Sequence, residues 1–207
     1  MSNIAIIGSG NMAAGLAAAL TAAGKNVFIG ARDAAKAQAL AQKTGAQAQG
    51  GTLAQAVAAA QTVFLALPYA AAAEVLQQLD VSGKTLIDSN PVTADFQNLS
   101  LGFTTSAAEE IAKAAPQAAV VKGFNTVFAQ LLDPAARSGQ TVQVFLAADD
   151  EEAKKRAAAL TADMGFKAVD AGGLRNSRFL EPLGEMNILF GFFLGKGTGI
   201  APMWSGL

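Results

Sequence analysis

The sequence contains no histidine and no cysteine among its 207 residues. The absence of histidine excludes Ser–His–Asp hydrolases and the hydroxyacid dehydrogenases that use a histidine as acid and base. Zinc sites are disfavoured as well, because their ligands are usually histidine and cysteine side chains. The absence of cysteine excludes a disulfide framework and thiolate chemistry. Both absences therefore narrow the reactions that the chain's own side chains can carry out.

Concentrated charge and long hydrophobic runs are also missing. The net charge is −1 at pH 7, and charged residues are scattered rather than grouped in a basic stripe, so we expect no nucleic-acid partner. The longest strongly apolar run near the C-terminus, residues 188–194, contains Gly191 and is far shorter than the roughly 20 residues of a membrane-spanning helix. A strand-like run follows Ser2 directly, which predicts no secretory leader, no membrane segment and a cytoplasmic location.

What the sequence does contain is a regular alternation of short β-branched runs with alanine-rich stretches. This alternation predicts an α/β protein of the Rossmann type, a doubly wound, mainly parallel sheet with helices on both faces. Residues 1–173 are expected to form this domain, and residues 174–207 a short C-terminal helical cap within the same compact unit. The predicted strands are residues 3–7, 27–30, 62–67, 84–88, 118–122, 141–147 and 166–170. Residues 44–52 are interpreted as a connection without a strand.

A glycine-rich motif joins the first predicted strand to the first helix. It has the form G-x-G-x-x-G/A and consists of Gly8, Ser9, Gly10, Asn11, Met12 and Ala13. Gly8 permits a tight turn, Gly10 lets the backbone approach a pyrophosphate, and Ala13 with Gly15 lets the helix pack closely on the sheet. The helix N-terminus offers unpaired N–H groups to phosphates. The motif predicts a dinucleotide site; a tight turn without a ligand is the alternative.

The end of the second predicted strand distinguishes NADP from NAD. An NAD-binding site usually has a carboxylate there, whereas this chain continues Gly30, Ala31, Arg32. Arg32 can bind a 2′-phosphate bidentately, and Lys36 follows within about one turn. Asp33 stands where a helix N-cap is required. We therefore expect NADP(H), contacted by Ala31, Arg32 and Lys36, although both cations also fit an ordinary solvated surface.

Polar and apolar residues follow three other strands at the sheet edge where ligands of such folds bind. The candidate residues are Leu67, Pro68, Asn90, Pro91, Asn125 and Thr126. Leu67 and Pro68 are expected to form an apolar wall leading to the nicotinamide, and Asn90 to contact a ribose or simply shape a turn. Asn125 and Thr126 are candidates for the nicotinamide carboxamide or the second substrate. Lys122 is interpreted as structural rather than catalytic.

No convincing acid–base pair is present in the sequence. Reduction of a ketone requires a positioned proton donor near the developing alkoxide. Transfer of a hydride onto a flavin or deazaflavin ring requires mainly stacking and distance, because the ring carries the chemistry. The missing pair therefore favours a ring acceptor.

These motifs resemble those of the deazaflavin (coenzyme F420)-dependent NADP oxidoreductases, and the resemblance covers nearly the whole chain. It includes the glycine motif, the sequence from Gly30 to Asp33, and residues 88–91, 120–126, 164–173 and 195–201. The middle motifs are also similar to the cytosolic NADPH domain of the six-transmembrane metalloreductases. The resemblance implies an NADP(H)-dependent oxidoreductase with a deazaflavin, FMN or FAD as hydride acceptor. Members of the family often have Ser-Arg where this chain has Ala31-Arg32, so one hydroxyl donor to the 2′-phosphate is absent.

Two other functions remain open at this point. The glycine motif is also similar to that of pyrroline-5-carboxylate reductases, which reduce a cyclic imine but normally have a larger helical dimerisation domain. A non-catalytic NADPH-sensing module would show the same nucleotide motifs. Apolar residues near the C-terminus predict either a ring-binding pocket or the interface of a homodimer; they are Met186, Ile188, Leu189, Phe192 and Phe193.

Overall fold

A computed structural model describes residues 3–93, 95–96 and 98–207, so the predicted chain start at Ser2 lies outside the described residues. Across the described residues, eight strands form one sheet in the order β3-β2-β1-β4-β5-β6-β7-β8. The strands are β1 (Asn3–Ile7), β2 (Val27–Gly30), β3 (Ala48–Gly51), β4 (Ala60–Leu65), β5 (Thr85–Asp88), β6 (Ala119–Lys122), β7 (Gln143–Ala148) and β8 (Lys167–Asp170).

The first six strands are parallel, and their order is that of dinucleotide-binding Rossmann domains. Strand β7 runs antiparallel to β6, and β8 is parallel to β7. The chain changes direction along the sheet between β1 and β4, and ligands of open α/β sheets bind at the carboxyl ends of the strands at such a point. The predicted fold class is confirmed.

The sequence prediction missed one strand and displaced the ends of others by up to two residues. β3 forms in the region interpreted as a connection, although it contains two glycines and no β-branched residue. A Cβ on Gly50 would lie 2.5 Å from the Cα of Gln38, and a Cβ on Gly51 would lie 2.5 Å from the Gln55 side chain. Close packing against the neighbouring helices therefore requires glycine at these two positions. For this reason β3 lacks the β-branched residues by which a strand is usually recognised. β4 ends at Leu65, two residues earlier than predicted, and the chain bends at Leu67 before α4 begins at Tyr69.

Helices cover both faces of the sheet. They are α1 (Asn11–Ala22), α2 (Ala34–Thr44), α3 (Leu53–Ala58), α4 (Tyr69–Gln77), α5 (Ala107–Ala114), α6 (Glu151–Asp163) and α7 (Ser177–Ile188). Shorter 3-10 turns occupy Ala129–Leu132, Pro134–Arg137 and Leu174–Asn176, and a π-helical turn occupies Leu189–Phe193. Asp33 caps α2 as predicted, since its carboxylate accepts from the backbone N–H groups of Ala35 and Lys36 at 3.0 and 3.4 Å.

Successive side chains along a strand point to opposite faces of the sheet, so the hydrophobic core has one layer on each face. Ile4 and Ile6 of β1 pack with α1, α2 and α6, whereas Ala5 and Ile7 pack with α3, α4 and α5. Successive side chains of a strand point to opposite faces, so one apolar strand supplies both layers. The sheet is thus fixed from both sides, and its carboxyl edge is left for the connecting loops.

The C-terminal segment packs over this carboxyl edge as a helical cap. Leu180 of α7 packs against Phe145 and Ala147 of β7. Beyond the π-helical turn, the amide of Gln143 donates to the carbonyl oxygens of Trp204 and Leu207 at 2.9 and 3.1 Å. Within the described part of the chain, no helix is both long and apolar enough to cross a membrane.

Candidate active site

Two glycines of the first loop are required for different reasons. Gly8 has a φ of +134°, and a Cβ there would overlap the carbonyl oxygen of Ala66. Gly10 has a φ of −87° at the N-cap of α1. A Cβ added to Gly10 would have no atom of the surrounding described residues within 4 Å. The fold itself therefore requires glycine at position 8 but not at position 10, where the absent side chain leaves open space for a ligand.

The N-terminus of α1 opens into this space. Gly10 supplies no side-chain cap, so the first N–H groups of the helix have no side-chain partner at this N-cap. Their partial positive charge suits a phosphate. Ala13 is fully buried in the core, whereas Gly15 faces the 3-10 turn, where a Cβ would lie 2.6 Å from Leu132. The expectation that Gly15 serves packing on the sheet is therefore corrected: it lets α1 pack against this turn.

The predicted 2′-phosphate residues lie beside the glycine loop. The N–H of Gly8 donates to the carbonyl oxygen of Gly30 at 2.9 Å, which brings the end of β2 next to the loop. Ala31 is buried, and Arg32 is exposed with no hydrogen bond or ion pair to another described residue. Lys36 is exposed, with its Nζ 4.0 Å from Asp33 Oδ2. Two exposed cations therefore follow the end of β2, which is bonded to the loop.

A groove of about 590 Å³ runs from the start of α1 across the ends of β4 and β5 to α7. Eight predicted site residues line it: Gly10, Asn11, Met12, Leu67, Pro68, Asn90, Pro91 and Asn125. Six others do not line it: Gly8, Ser9, Ala31, Arg32, Lys36 and Thr126. Thr126 is almost fully buried and contributes only its carbonyl oxygen, which accepts from Asn187 at 3.2 Å. The predicted contact of Thr126 with the nicotinamide or the second substrate stays a prediction.

A buried ionic cluster supports the floor of the groove. The ammonium of Lys122 lies 2.9 Å from Asp88 Oδ2 and 3.2 Å from Glu181 Oε1, and all three side chains are almost completely buried. It also donates to the carbonyl oxygen of Asn90 at 3.0 Å. Burial lowers the pKa of Lys122, but the two carboxylates outweigh burial and raise it above its usual range. Lys122 is thus a charged structural residue, as interpreted from the sequence.

The cluster fixes the loops that carry the predicted residues. Asp88 Oδ1 accepts from both the backbone N–H and the side-chain amide of Asn90, at 3.1 and 2.8 Å. The amide oxygen of Asn90 accepts from the N–H of Leu67 at 2.8 Å. Glu181 accepts from the first N–H groups of α5, at Ala107 and Ala108. Asn90 therefore ties the loop after β5 to the loop after β4, which a turn alone would not do.

Helix α7 closes the far side of the groove. A Cβ on Gly184 would lie 2.8 Å from both the side-chain nitrogen and the carbonyl oxygen of Asn125, so the helix packs directly on the loop after β6. Phe192 packs edge-on against Phe128, with ring centroids 5.4 Å apart. Of the apolar residues predicted as pocket or interface, Ile188 and Phe192 line the groove. Met186, Leu189 and Phe193 are exposed, and a homodimer through them stays a prediction.

Sequence reasoning missed several groove residues. They include Tyr69, Phe96, Phe128, Gln130 and Asn187. Tyr69 follows the predicted wall of Leu67 and Pro68 directly, so its position after a strand end was a usable signal. The other four residues lie in loops, in the 3-10 turn at Ala129–Leu132 and in α7. No local sequence pattern predicts that these segments reach the groove.

Comparison with known proteins places this geometry in a family. A family model described as coenzyme F420-dependent NADP oxidoreductase matches residues 3–91. The F420-dependent NADP reductase of Methanothermobacter marburgensis is 31% identical over 199 residues, covering 87% of this chain and 88% of the relative. The chain belongs to the family of coenzyme F420-dependent NADP oxidoreductases. The resemblance seen in the motifs is confirmed, as is the prediction of an NADP-dependent oxidoreductase at the level of the family.

Other similarities differ in how much of the relative they cover. The metalloreductase STEAP3 of Rattus norvegicus is 32% identical over 87% of this chain, but the chain spans only 36% of that relative. The crystal structure of a protein from Arthrobacter sp. FB24, assigned as an F420-dependent NADP reductase, superposes with a TM-score of 0.85. Its sequence is 27% identical, and the match covers 99% of this chain and 100% of that one.

An imine reductase from Pseudomonas sp. is a more distant structural neighbour. It superposes with a TM-score of 0.68 at 21% identity, over 93% of this chain and 63% of the neighbour. At this identity the likeness shows the fold alone. The comparison therefore shows that this chain and the imine reductase share an architecture, and it gives no support for a shared active site.

Proposed function

We propose that the protein transfers a hydride between NADPH and a deazaflavin ring of the coenzyme F420 type. The observation that carries this proposal is Gly10, whose missing side chain is required neither by backbone conformation nor by packing. A ligand approaching the N-terminus of α1 explains the glycine, and that N-terminus opens into the groove. The pyrophosphate would lie here, with the nicotinamide extending into the groove.

Charge is distributed unevenly along the proposed site. Arg32 and Lys36 follow β2, whose end is bonded to the glycine loop, and the adenosine 2′-phosphate would lie beside them. No side chain of Lys, Arg, Asp or Glu is among the described residues that line the groove. The groove instead combines aromatic rings with neutral amides. Such a lining suits two stacked planar rings, between which a hydride moves without protein acid–base chemistry.

The chain's residues would bind and orient the two rings rather than react with them. Leu67 and Pro68 form one wall, held by the hydrogen bond from Leu67 N to Asn90. Phe128 and Phe192 line the groove toward α7 and shield the rings from water. Asn125 is held by its amide donation to the carbonyl oxygen of Leu180 at 2.7 Å, which leaves its side-chain oxygen for a ligand. The nicotinamide supplies the hydride when it is bound.

The acceptor is tested by the loss of NADPH absorbance in parallel reactions. Purified protein is offered an oxidised F420-type deazaflavin, FMN, FAD or a cyclic imine. Rapid oxidation of NADPH with the deazaflavin is the expected result. Turnover with the imine alone would instead identify an imine reductase, and turnover with FMN or FAD alone would identify a flavin reductase. Binding of NADPH without turnover of any acceptor would favour the non-catalytic sensor.

The nucleotide part of the proposal is tested by Arg32→Ala. Loss of a charge-assisted contact to the 2′-phosphate is expected to raise the Kd of NADPH by roughly 10–100-fold. The Kd of NADH should change little, because it lacks that phosphate. Lys43→Ala is the matched control, since Lys43 is exposed in the last turn of α2, at the opposite end of that helix from Arg32. Equal losses for NADPH and NADH, measured by fluorescence titration, would place the phosphate elsewhere.

A further inference from the structure

One groove residue differs from all the others in its chemistry. Of the described residues that line the groove, Tyr69 alone carries an ionisable side chain. It occupies the first position of α4, directly after the wall formed by Leu67 and Pro68. It is half-buried, and its position in the proposed site lies between the loop after β4 and the capping helix α7. Its hydroxyl is therefore the one donor among the described groove residues that can also ionise.

Most of those other donors are already used within the protein. The Ser89 hydroxyl donates to a backbone carbonyl of β4 at 2.7 Å, and the amide of Asn90 donates to Asp88 at 2.8 Å. The hydroxyl of Thr93 donates to a neighbouring loop carbonyl at 3.2 Å. The Tyr69 hydroxyl makes no hydrogen bond to any residue that the structure describes. The hydroxyl is therefore a donor that no side chain or backbone group of the described residues occupies, and it remains available to a ligand in the groove.

The charges around Tyr69 determine what its hydroxyl can do. Burial raises the pKa of the phenol most, and the carboxylates of Glu110 on α5, Glu181 on α7 and Asp88 on β5 raise it further. Lys122 faces the same region from β6, but it is paired with Asp88 and Glu181. A phenolate would be repelled by these carboxylates. The phenol can therefore donate a hydrogen bond but is poorly suited to release its proton.

We propose that the Tyr69 hydroxyl donates a hydrogen bond to the acceptor ring, holding it in place and stabilising the negative charge that hydride transfer creates on it. This role rests on the proposed function and adds a residue to it. In each turnover one hydride, with its two electrons, leaves the nicotinamide, which becomes oxidised, and joins the ring, which becomes reduced. The proton that completes the reduced ring comes from solvent, and Tyr69 keeps its own.

The test is Tyr69→Phe, which removes only the hydroxyl. The donor strengthens as charge develops, so kcat for NADPH oxidation should fall by about 10–100-fold. Binding of the oxidised deazaflavin, followed by its fluorescence, should weaken by only about 2–10-fold. The Kd of NADPH, the Tm and the shape of the pH profile near neutrality should stay unchanged. Thr44→Val is the matched control, because it removes one hydroxyl at the end of α2, outside the groove.

Different results overturn different statements. If wild-type protein oxidises NADPH with the deazaflavin and Tyr69→Phe does so equally fast, Tyr69 has no such role and the proposed function stands. If wild-type kcat shows a large solvent deuterium isotope effect that Tyr69→Phe loses, Tyr69 gives up its proton during turnover and the hydrogen-bond role is wrong. If wild-type protein neither binds nor reduces the ring, the proposed function fails first, and the role of Tyr69 falls with it.

Discussion

At the scale of single residues, two glycines two positions apart in one motif differ in what surrounds them. A side chain at position 8 would meet the carbonyl of Ala66 from a backbone conformation that disfavours any Cβ, whereas one at position 10 would point into open space. The sequence motif already assigns Gly8 to a tight turn and Gly10 to the approach of a pyrophosphate. The structure shows that the fold requires glycine at position 8 and leaves open space beside position 10.

This difference predicts opposite effects for two matched variants. Gly10→Ala should change the free energy of unfolding by less than about 1 kcal/mol, the scale of a modest N-cap change. It should weaken NADPH binding at least about tenfold, because the new methyl group occupies the approach to α1. Gly8→Ala should lower the free energy of unfolding by at least about 1–3 kcal/mol from backbone strain alone. The overlap with the carbonyl oxygen of Ala66 adds to this loss. Urea denaturation and NADPH titration measure the two effects, and equal stability losses in both variants would contradict the assignment.

At the scale of elements, the packing of α7 decides whether the groove is closed. The helix approaches the loop after β6 so closely that Gly184 touches both the side chain and the backbone of Asn125. No periodicity in the sequence specifies this partner. The amphipathic pattern of α7 predicts that one face is buried, but not against which loop.

Gly184→Ala is predicted to move α7 outward. The substitution improves helix propensity by about 1 kcal/mol, but overpacking against a backbone atom costs about 1–3 kcal/mol. We expect a lower Tm together with a raised KM for the ring acceptor, since the groove widens. Gly199→Ala is the control, because a Cβ there contacts nothing within 4 Å and Gly199 is exposed. A higher Tm with an unchanged KM for Gly184→Ala would show that the contact between Gly184 and Asn125 does not set the position of α7 or the width of the groove.

At the scale of the whole molecule, the buried cluster of Lys122, Asp88 and Glu181 joins two central strands to the capping helix. Through the bonds of Glu181 to the start of α5, it also holds a helix on one face of the sheet. Its removal should therefore loosen the fold and the site together. Removing one partner of a buried ion pair lowers the free energy of unfolding strongly, whereas removing one partner of an exposed pair changes it little.

Lys122→Met is predicted to lower the free energy of unfolding by about 3–5 kcal/mol at neutral pH, because two buried carboxylates lose their cation. The pKa of Lys122 is raised in the folded state, so the contribution of its charge is complete below the unfolded lysine pKa of about 10.4. It is lost as the pH rises through the higher folded value. The stability difference between wild type and variant should thus shrink only in strongly alkaline solution.

Urea denaturation across the pH range provides the measurement. Lys155→Met serves as the control, because Lys155 forms an exposed pair with Glu152 at 2.9 Å and its loss should leave the Tm nearly unchanged. A difference between wild type and Lys122→Met that already disappears between pH 7 and 9 would show that Lys122 is not charged in the native protein.

The sequence by itself determined the local features of this protein. The glycine motif between a strand and a helix, the cap at Asp33 and the alternation of strands and helices depend on neighbouring residues, so they can be recognised along the chain. Only the tertiary structure decided the existence of β3, the antiparallel direction of β7, the charged cluster beneath Asn90 and the arrival of α7 at the groove. These features join residues far apart in sequence, and their stability comes from packing and buried charge that no local pattern records.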